Sequence, residues 1–211
     1  MSRIPKLYAI GDRGVFDSDD AWLDALATAA PLLAQHPHTA MQIRVKVGTP
    51  HQRIDRVRRA RARINQAMED GLTVLLNGTV AHAQEFAFSG AHLPEDLIDD
   101  SAMERPNNFL VGASVHSMEA ARLGTEAQAD FLVYGPVFAP SCKDTTPVGT
   151  APLATIAQAI PTPVLAIGGL TPSRVKSCLD AGAAGVAALS TILQTDHPHQ
   201  SIQKFMTALG N

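Results

Sequence analysis

The sequence predicts an α/β protein that folds as a single-domain (β/α)8 TIM barrel. Short apolar runs alternate with longer amphipathic stretches along the whole chain, as strands and helices do in parallel α/β folds. Eight such units fit into 211 residues, and about 26 residues per unit is near the lower end for this barrel. No linker or low-complexity tract divides the chain, so we expect one domain over residues 1–211. The alternative is an open doubly wound sheet, but "IGDRG" after the first strand is a poor nucleotide-binding signature.

The predicted elements follow one another without a break. The strand candidates are short and apolar, and they lie at 6–11, 41–47, 72–77, 88–93, 108–114, 130–137, 163–169 and 184–190. The helix candidates lie between them, at 19–35, 50–69, 79–86, 95–104, 117–127, 151–159, 172–181 and roughly 199–208. Several begin with residues that favour helix N-termini, namely Asp19-Asp20, Thr49-Pro50, Ser117 and Thr171-Pro172.

Composition limits the class of protein. Hydrophobic residues make up 45% of the chain and charged residues 18%, which is typical of a packed globular protein. A net charge of −3 gives no reason to expect a nucleic acid or a membrane as the general partner. The N-terminus lacks a signal-peptide core and no run of 18 apolar residues follows, so we expect a cytoplasmic protein, which could form a homo-oligomer. Cys142 and Cys178 are too few for a disulfide framework and are not spaced as zinc ligands.

The stretch "MQIRVKV" (41–47) alternates polar and apolar side chains. As a strand it places Gln42, Arg44 and Lys46 on one face and three β-branched residues on the other. In a half-exposed strand the polar face would meet water, but barrel strands are covered on both sides. The apolar residues suit the helix side, so we expect the polar ones to point into the barrel. Burying unpaired cations costs several kcal/mol, which predicts an anion-binding site at the strand ends.

Two glycine- and serine-containing turns form a second candidate site. "AIGGLTPSRV" (166–175) places Gly168 and Gly169 after a strand, and "GVAALSTI" (185–192) ends the next strand at Leu189 and Ser190. Backbone amides after strands seven and eight commonly bind phosphate in these barrels. The alternative is that the glycines only permit a tight turn.

His116 and the segment after strand six are candidates for catalysis. His116 lies just past strand five in "GASVHS", where an imidazole could transfer a proton near neutral pH or be a structural hydrogen-bonding residue. The loop 135–150 is long for a βα connection and suits a lid. Nothing nearby in sequence marks Cys142 as activated, so we interpret it as a plain thiol.

Residues 53–63 carry six arginines on the second helix candidate. A solvated outer face is the ordinary interpretation of such a run, and a nucleic acid or an acidic partner is the alternative. No interleaved aromatic residues support the alternative.

The motifs together resemble one family. "MQIRVK", "LLN", "GAHL", "GASVHS", "YGPVF…CK…P.G", "AIGGLTP" and "AGVAALS" occur between about residues 6 and 192 in the order seen in the thiamine-phosphate synthase and TenI-type thiazole tautomerase superfamily. The resemblance implies a barrel that handles thiazole phosphate in thiamine biosynthesis. It implies proton transfer by His116. Gln42, Arg44 and Lys46 match the polar triplet of the family's second strand, and Gly169 and Ser190 match its phosphate-binding turns. We predict that substrate is bound by these five residues together with Asn77, Lys143, Gly168 and Leu189.

Departures from the synthase pattern favour the tautomerase branch. Where the synthase has an Asn-Asp pair for Mg²⁺ after strand three, this chain has Asn77 and Gly78. The acid after strand four falls in the shortened motif "HLPED", where Asp96 is the candidate. We therefore expect an isomerase that moves a proton to aromatise a carboxythiazole phosphate, with no metal or other cofactor. The alternatives are a Mg²⁺-dependent synthase using Asp96, and a non-catalytic barrel that binds thiazole or thiamine phosphates as a regulator.

Overall fold

A closed barrel of eight parallel strands forms the centre of the protein. The computed structural model describes residues 4–68, 71–101, 105–139 and 146–210. Each strand pairs with its neighbour in sequence, and the last strand pairs with the first. The strands are β1 (Leu7–Asp12), β2 (Thr39–Arg44), β3 (Thr73–Asn77), β4 (Gly90–Leu93), β5 (Leu110–Val115), β6 (Phe131–Tyr134), β7 (Val164–Ile167) and β8 (Gly185–Ala188). The predicted (β/α)8 barrel is therefore confirmed.

Helices surround the barrel at nearly the predicted positions. They are α1 (Asp19–Ala34), α2 (Pro50–Ala67), α3 (Val80–Glu85), α4 (Met118–Glu126), α5 (Thr150–Ala159), α6 (Pro172–Asp180), α7 (Ser190–Leu193) and α8 (Pro198–Ala208). Ser18, Thr49 and Ser117 cap α1, α2 and α4 through their side-chain oxygens, and Thr49 forms a capping box with Gln52. None of the helices in the described ranges is long and apolar enough to cross a bilayer.

Several predicted elements differ from the structure, among them the strand expected at 130–137, which ends at Tyr134. The helix expected at 95–104 is a 3₁₀ segment over Glu95–Ser101, with the amide of Leu97 bonded to the carbonyl of Pro94 at 2.9 Å. Strand β2 ends at Arg44 instead of residue 47. The last strand ends at Ala188, and Ser190 begins the short helix α7.

Side chains alternate between two cores. Inside the barrel, Tyr8 and Ile10 of β1 pack with a group of strand residues that includes Phe131. The residues between them, such as Ala9, face the layer between barrel and helices. On β2 the same alternation places Ala40 in the barrel interior and Ile43 in the outer layer. Gln42 and Arg44 therefore lie on the inner face of the barrel.

The arginines of α2 bind neighbouring helices of the same chain. Arg59 pairs with Asp20 of α1 at 3.1 Å, and Arg63 pairs with Asp24 at 2.7 Å. The two arginines are four residues apart on α2, and the two aspartates are four residues apart on α1. Arg56 pairs with Asp19 at 2.9 Å. On the other side of α2, Arg58 and Arg61 lie 5.6 Å from the ring centres of Phe86 and Phe88. The arginine run is thus more than a solvated face, because it links α1, α2 and the α3 region.

Candidate active site

A cavity of about 750 Å³ opens at the carboxyl ends of the strands. Its lining includes six of the residues that the sequence singled out for substrate or proton transfer, which are Gln42, Arg44, Lys46, Asn77, His116 and Leu189. Asp96, the candidate metal ligand, also lines it. Gly168, Gly169 and Ser190 are not part of the lining. Gly168 directly follows the lining residue Ile167, and Gly169 is one position further on. Ser190 directly follows the lining residue Leu189. Lys143 and Cys142 lie outside the described residues.

Arg44 already has an anionic partner from the chain itself. The strand register places Asp12 beside Arg44, and the Arg44 guanidinium donates to one carboxylate oxygen of Asp12. The other oxygen accepts from the amide of Gly14 at 3.0 Å. The Asp12 side chain is 5% exposed and that of Arg44 is 22% exposed. Asp12 was not predicted from the sequence, because the two residues are 32 positions apart.

Lys46 is the second cation at the cavity. It lies two residues beyond the end of β2, so the strand alternation that predicted its direction does not extend to it. Within the described ranges it forms no salt bridge, which leaves its ammonium group available to an anionic ligand. Val47, which the alternation placed on the helix side, is instead 40% exposed because the chain has left the sheet.

His116 lies directly after β5 and lines the cavity. Its Nδ1 lies 2.9 Å from the carbonyl oxygen of Gly135, after β6. A carbonyl oxygen only accepts, so Nδ1 must carry the hydrogen. In the neutral imidazole the lone pair is therefore on Nε2, which could accept a proton. The contact fixes both the ring orientation and the tautomer.

The glycines after β7 allow a close approach of the backbone after β6. Gly168 and Gly169 have φ angles of +100° and +56°. A Cβ on Gly168 would lie 2.5 Å from Pro136, and one on Gly169 would lie 2.4 Å from the carbonyl oxygen of Ala139. This packing by itself accounts for two glycines here, so their presence is not independent evidence of phosphate binding.

The predicted lid, 135–150, is described only at its two ends. The amides of Val137 and Phe138 donate to the carbonyls of Ile167 and Gly168 at 2.7 and 3.1 Å. The amide of Val148 donates to Pro136 at 2.8 Å, which joins the two ends of the loop. The start of the loop is therefore held against the carboxyl end of β7, and the end of the loop is held against its start. Residues 140–145 between them lie outside the described residues.

A buried group of polar side chains, which the sequence did not predict, lies at the bottom of the cavity. His92 of β4 is 2% exposed, and its Nε2 lies 2.8 Å from the hydroxyl of Ser114 on β5. Its Nδ1 lies 3.3 Å from the hydroxyl of Tyr8. Burial and the nearby Arg44 charge lower the pKa of His92 to about 3, so this imidazole is neutral at physiological pH. Asn77 donates to the backbone carbonyl of His92 at 3.2 Å.

The cavity offers two adjacent carboxylates as possible metal ligands. Glu95 and Asp96 follow β4 and both line the cavity. Gly78 has no side chain, and a Cβ built there would meet nothing within 4 Å. In the part of the chain that the structure describes, no three His, Cys, Asp or Glu side chains form a metal-binding group. A divalent ion would therefore need ligand oxygens from a substrate as well.

Comparisons with known proteins identify the family. A family model described as thiamine monophosphate synthase matches residues 7–192. The chain is 30% identical to the thiamine-phosphate synthase of Koribacter versatilis over 98% of this chain and 97% of that protein. It is 35% identical to that of Bacillus cereus strain B4264, over 71% and 70% of the two chains. A solved structure of thiamine phosphate pyrophosphorylase from Pyrococcus furiosus matches with a TM-score of 0.71 at 21% identity, covering 99% and 96% of the two chains, which shows the shared fold. The chain therefore belongs to the thiamine monophosphate synthase (TMP-TENI) family.

Proposed function

We propose that this protein is a thiamine-phosphate synthase, which joins a thiazole phosphate to hydroxymethylpyrimidine pyrophosphate and releases pyrophosphate. The observation that carries the proposal is the nearly full-length match with the Koribacter versatilis synthase. The comparisons offer no support specific to the thiazole tautomerase that the sequence favoured. We therefore prefer the synthase, which was the alternative prediction from the sequence.

The size and charge of the cavity are consistent with a two-substrate reaction. Small-molecule pockets commonly span roughly 300–1,000 Å³, and this cavity of about 750 Å³ is in the upper half of that range. Lys46 lines it and carries positive charge that a pyrophosphate group requires, and Arg44, whose charge is paired with Asp12, adds N–H donors to the lining. Negative charge grows on the departing pyrophosphate as its bond to the pyrimidine methylene breaks, and fixed cations stabilise that charge.

The remaining candidate residues provide binding groups around these cations. In our proposal the phosphate of the thiazole binds the backbone amides at Gly168, Gly169, Leu189 and Ser190. Gln42 and Asn77, both in the cavity lining, hydrogen-bond the heterocyclic substrates. Lys143 stays a predicted ligand of phosphate oxygens.

The donor set near β4 fits a magnesium ion that is bound together with substrate. Glu95 and Asp96 would hold it, since one or two carboxylates plus substrate phosphate oxygens is the usual arrangement for Mg²⁺. When bound, Mg²⁺ supplies positive charge to the leaving pyrophosphate. Gly78 provides no ligand, so fewer protein oxygens are available than the family's Asn-Asp pair would give. Lys46 then contributes a larger share of the charge stabilisation.

A specific observation also favours the tautomerase as a second candidate. The contact between His116 and Gly135 places the lone pair of a neutral His116 on Nε2, and His116 lines the cavity, as a general base requires. Aromatising a carboxythiazole phosphate needs only proton transfer, and the missing carboxylate at Gly78 would not affect it.

A paired turnover assay distinguishes the two candidates. The purified protein is incubated with thiazole phosphate and the pyrimidine pyrophosphate, with Mg²⁺ and with EDTA, and separately with the carboxylated dihydrothiazole phosphate. The synthase proposal expects fast, EDTA-sensitive formation of thiamine phosphate. Turnover of the dihydrothiazole alone would replace it with the tautomerase. A protein that binds thiazole phosphate but converts neither substrate would be a non-catalytic regulator.

A further inference from the structure

One carboxylate connects the loops that follow β1 and β2 beside the cavity. Asp19, the first residue of α1, accepts from Nε of Arg56 on α2 at 2.9 and 3.0 Å, and it also pairs with Arg13. Arg13 lies in the turn after β1, where its guanidinium donates to the carbonyl of Phe16 at 2.6 Å. The side chains of Arg13 and Arg56 are 12% and 16% exposed, so water screens these two pairs less than an ion pair at the surface.

The guanidinium of Arg56 also binds the loop after β2. Its Nη1 donates to the carbonyl of Val47 at 2.8 Å. Val47 directly follows Lys46, which lines the cavity. The strand pairing of β2 ends at Arg44, so the sheet does not fix the backbone at Lys46. The bond from Arg56 therefore holds the chain next to this lysine at a point where the barrel no longer does.

Gly48 makes room for the contact between Arg56 and the loop. It has a φ angle of +98°, and a Cβ at this position would lie 2.4 Å from Nη1 of Arg56. A side chain here would push the guanidinium away from the Val47 carbonyl or change the course of the loop. Both the backbone conformation and the absence of a Cβ at Gly48 thus favour the approach of Arg56.

We propose that Arg56 is a positioning residue, which connects Asp19 to the Val47 carbonyl and so holds the loop after β2 with Lys46 directed at an anionic substrate group in the cavity. Arg56 is not among the described residues that line the cavity, so it acts through the loop and does not touch substrate. Fixing the backbone beside a flexible lysine reduces the conformational freedom that binding must remove. The inference rests on the proposed function for the pyrophosphate group of the substrate, whereas inorganic pyrophosphate alone can test the role of Arg56.

Calorimetric titration of the purified full-length protein with inorganic pyrophosphate provides the test. Lys46→Gln should weaken binding about tenfold, the usual effect of losing a hydrogen bond to a charged group. Arg56→Gln should weaken it by about three- to tenfold, because the lysine remains but its loop is no longer held. Arg56→Lys should be impaired to the same extent, since an ammonium group keeps the charge but lacks the fork that binds Asp19 and Val47 together.

Two control variants separate the loop contact from charge and from backbone strain. Arg59→Gln removes the same charge from α2, but in the described chain Arg59 pairs with carboxylates of α1, so pyrophosphate affinity should not change. Gly48→Ala keeps every charge and should weaken binding as Arg56→Gln does. Gly71→Ala is its matched control, because Gly71 also has a positive φ of +111° but a Cβ there would come no closer than 3.9 Å to Ala34. Its pyrophosphate affinity should equal that of wild type.

A double variant shows whether Arg56 acts through Lys46. Arg56→Gln/Lys46→Gln should bind pyrophosphate no more weakly than Lys46→Gln alone, because there is no longer an ammonium group to direct. Losses that add in the double variant would mean that Arg56 acts by its own charge and would overturn the inference. Wild-type affinity in Arg56→Lys, or in Gly48→Ala, would overturn it as well.

The outcomes distinguish this inference from the proposed function. A protein that shows the expected pattern of pyrophosphate affinities but makes no thiamine phosphate would contradict the proposed function and leave the role of Arg56 intact. A protein that makes thiamine phosphate but binds pyrophosphate equally well in all variants, or not at all in the wild type, would contradict only the role of Arg56. If an Arg56 variant fails to fold, the comparison of Gly48→Ala with Gly71→Ala still decides.

Discussion

Replacing Asp12 with asparagine should destabilise the protein and at the same time strengthen anion binding. The asparagine side chain could still accept from the Gly14 amide, but it cannot neutralise Arg44. Breaking a fully buried pair costs about 3–5 kcal/mol, and breaking an exposed pair about 0–1 kcal/mol. Asp12 is almost fully buried, whereas Arg44 is 22% exposed and opens onto the cavity, so we expect a loss of about 2 kcal/mol.

Urea denaturation and calorimetric titration with inorganic pyrophosphate measure the two effects. The matched control is Asp20→Asn, which removes the same charge from a pair whose side chains are 87% and 42% exposed and should cost at most about 0.5 kcal/mol. The freed guanidinium in Asp12→Asn should tighten pyrophosphate binding, and the control should not change it. Equal stabilities of the two variants, with equal pyrophosphate affinities, would refute the assignment of Asp12 as the buried partner of Arg44.

Three further predictions concern the turn after β7, the ion pairs of α1 and the cavity histidine. Gly168→Ala should lower stability by about 2 kcal/mol because its Cβ would meet Pro136, whereas Gly210→Ala, also at positive φ but with open space, should cost less; thermal unfolding of both compares them. Burial raises the pKa of Asp19, but hydrogen bonds and charges from Arg13 and Arg56 outweigh it and lower that pKa below 3.8. The contribution of the Asp19 carboxylate to stability is thus present above pH 4 and lost as pH falls further. The difference in unfolding free energy between wild type and Asp19→Asn should therefore become smaller from pH 5 to pH 3. A difference that does not change with pH would contradict the ion pairing of Asp19. His116→Asn should reduce synthase turnover less than tenfold. A loss of 10²–10⁴-fold in kcat for the carboxylated dihydrothiazole phosphate would instead indicate general acid–base catalysis by His116 and favour the tautomerase.

The sequence predicted the barrel because its evidence is local and repeated. Each strand is a short apolar run, and residues such as Thr49 and Ser117 cap the helices where the pattern places them. A helix was predicted at 95–104, where the structure has a 3₁₀ segment over Glu95–Ser101, because the composition does not separate an α-helix from a 3₁₀ segment. The end of β2 was placed three residues too late, since alternation continues through Val47 although the sheet pairing stops at Arg44.

The candidate site was predicted only where single residues carry a signal. Gln42, Arg44 and His116 were found from their residue types and their positions near strand ends. Asp12 and His92 were missed because their roles depend on partners on other strands, 32 positions away for Asp12 and 84 for the contact between His92 and Tyr8. The arginines of α2 were assigned to solvent for the same reason, since their carboxylate partners lie on α1.

The most direct test of the proposed function is the initial rate at which the purified protein forms thiamine phosphate from thiazole phosphate and hydroxymethylpyrimidine pyrophosphate in the presence of Mg²⁺. Released pyrophosphate is quantified in the same samples. The synthase proposal predicts equal amounts of the two products, formed over many turnovers and abolished by EDTA. Absence of thiamine phosphate, together with conversion of the carboxylated dihydrothiazole phosphate in EDTA, would contradict it.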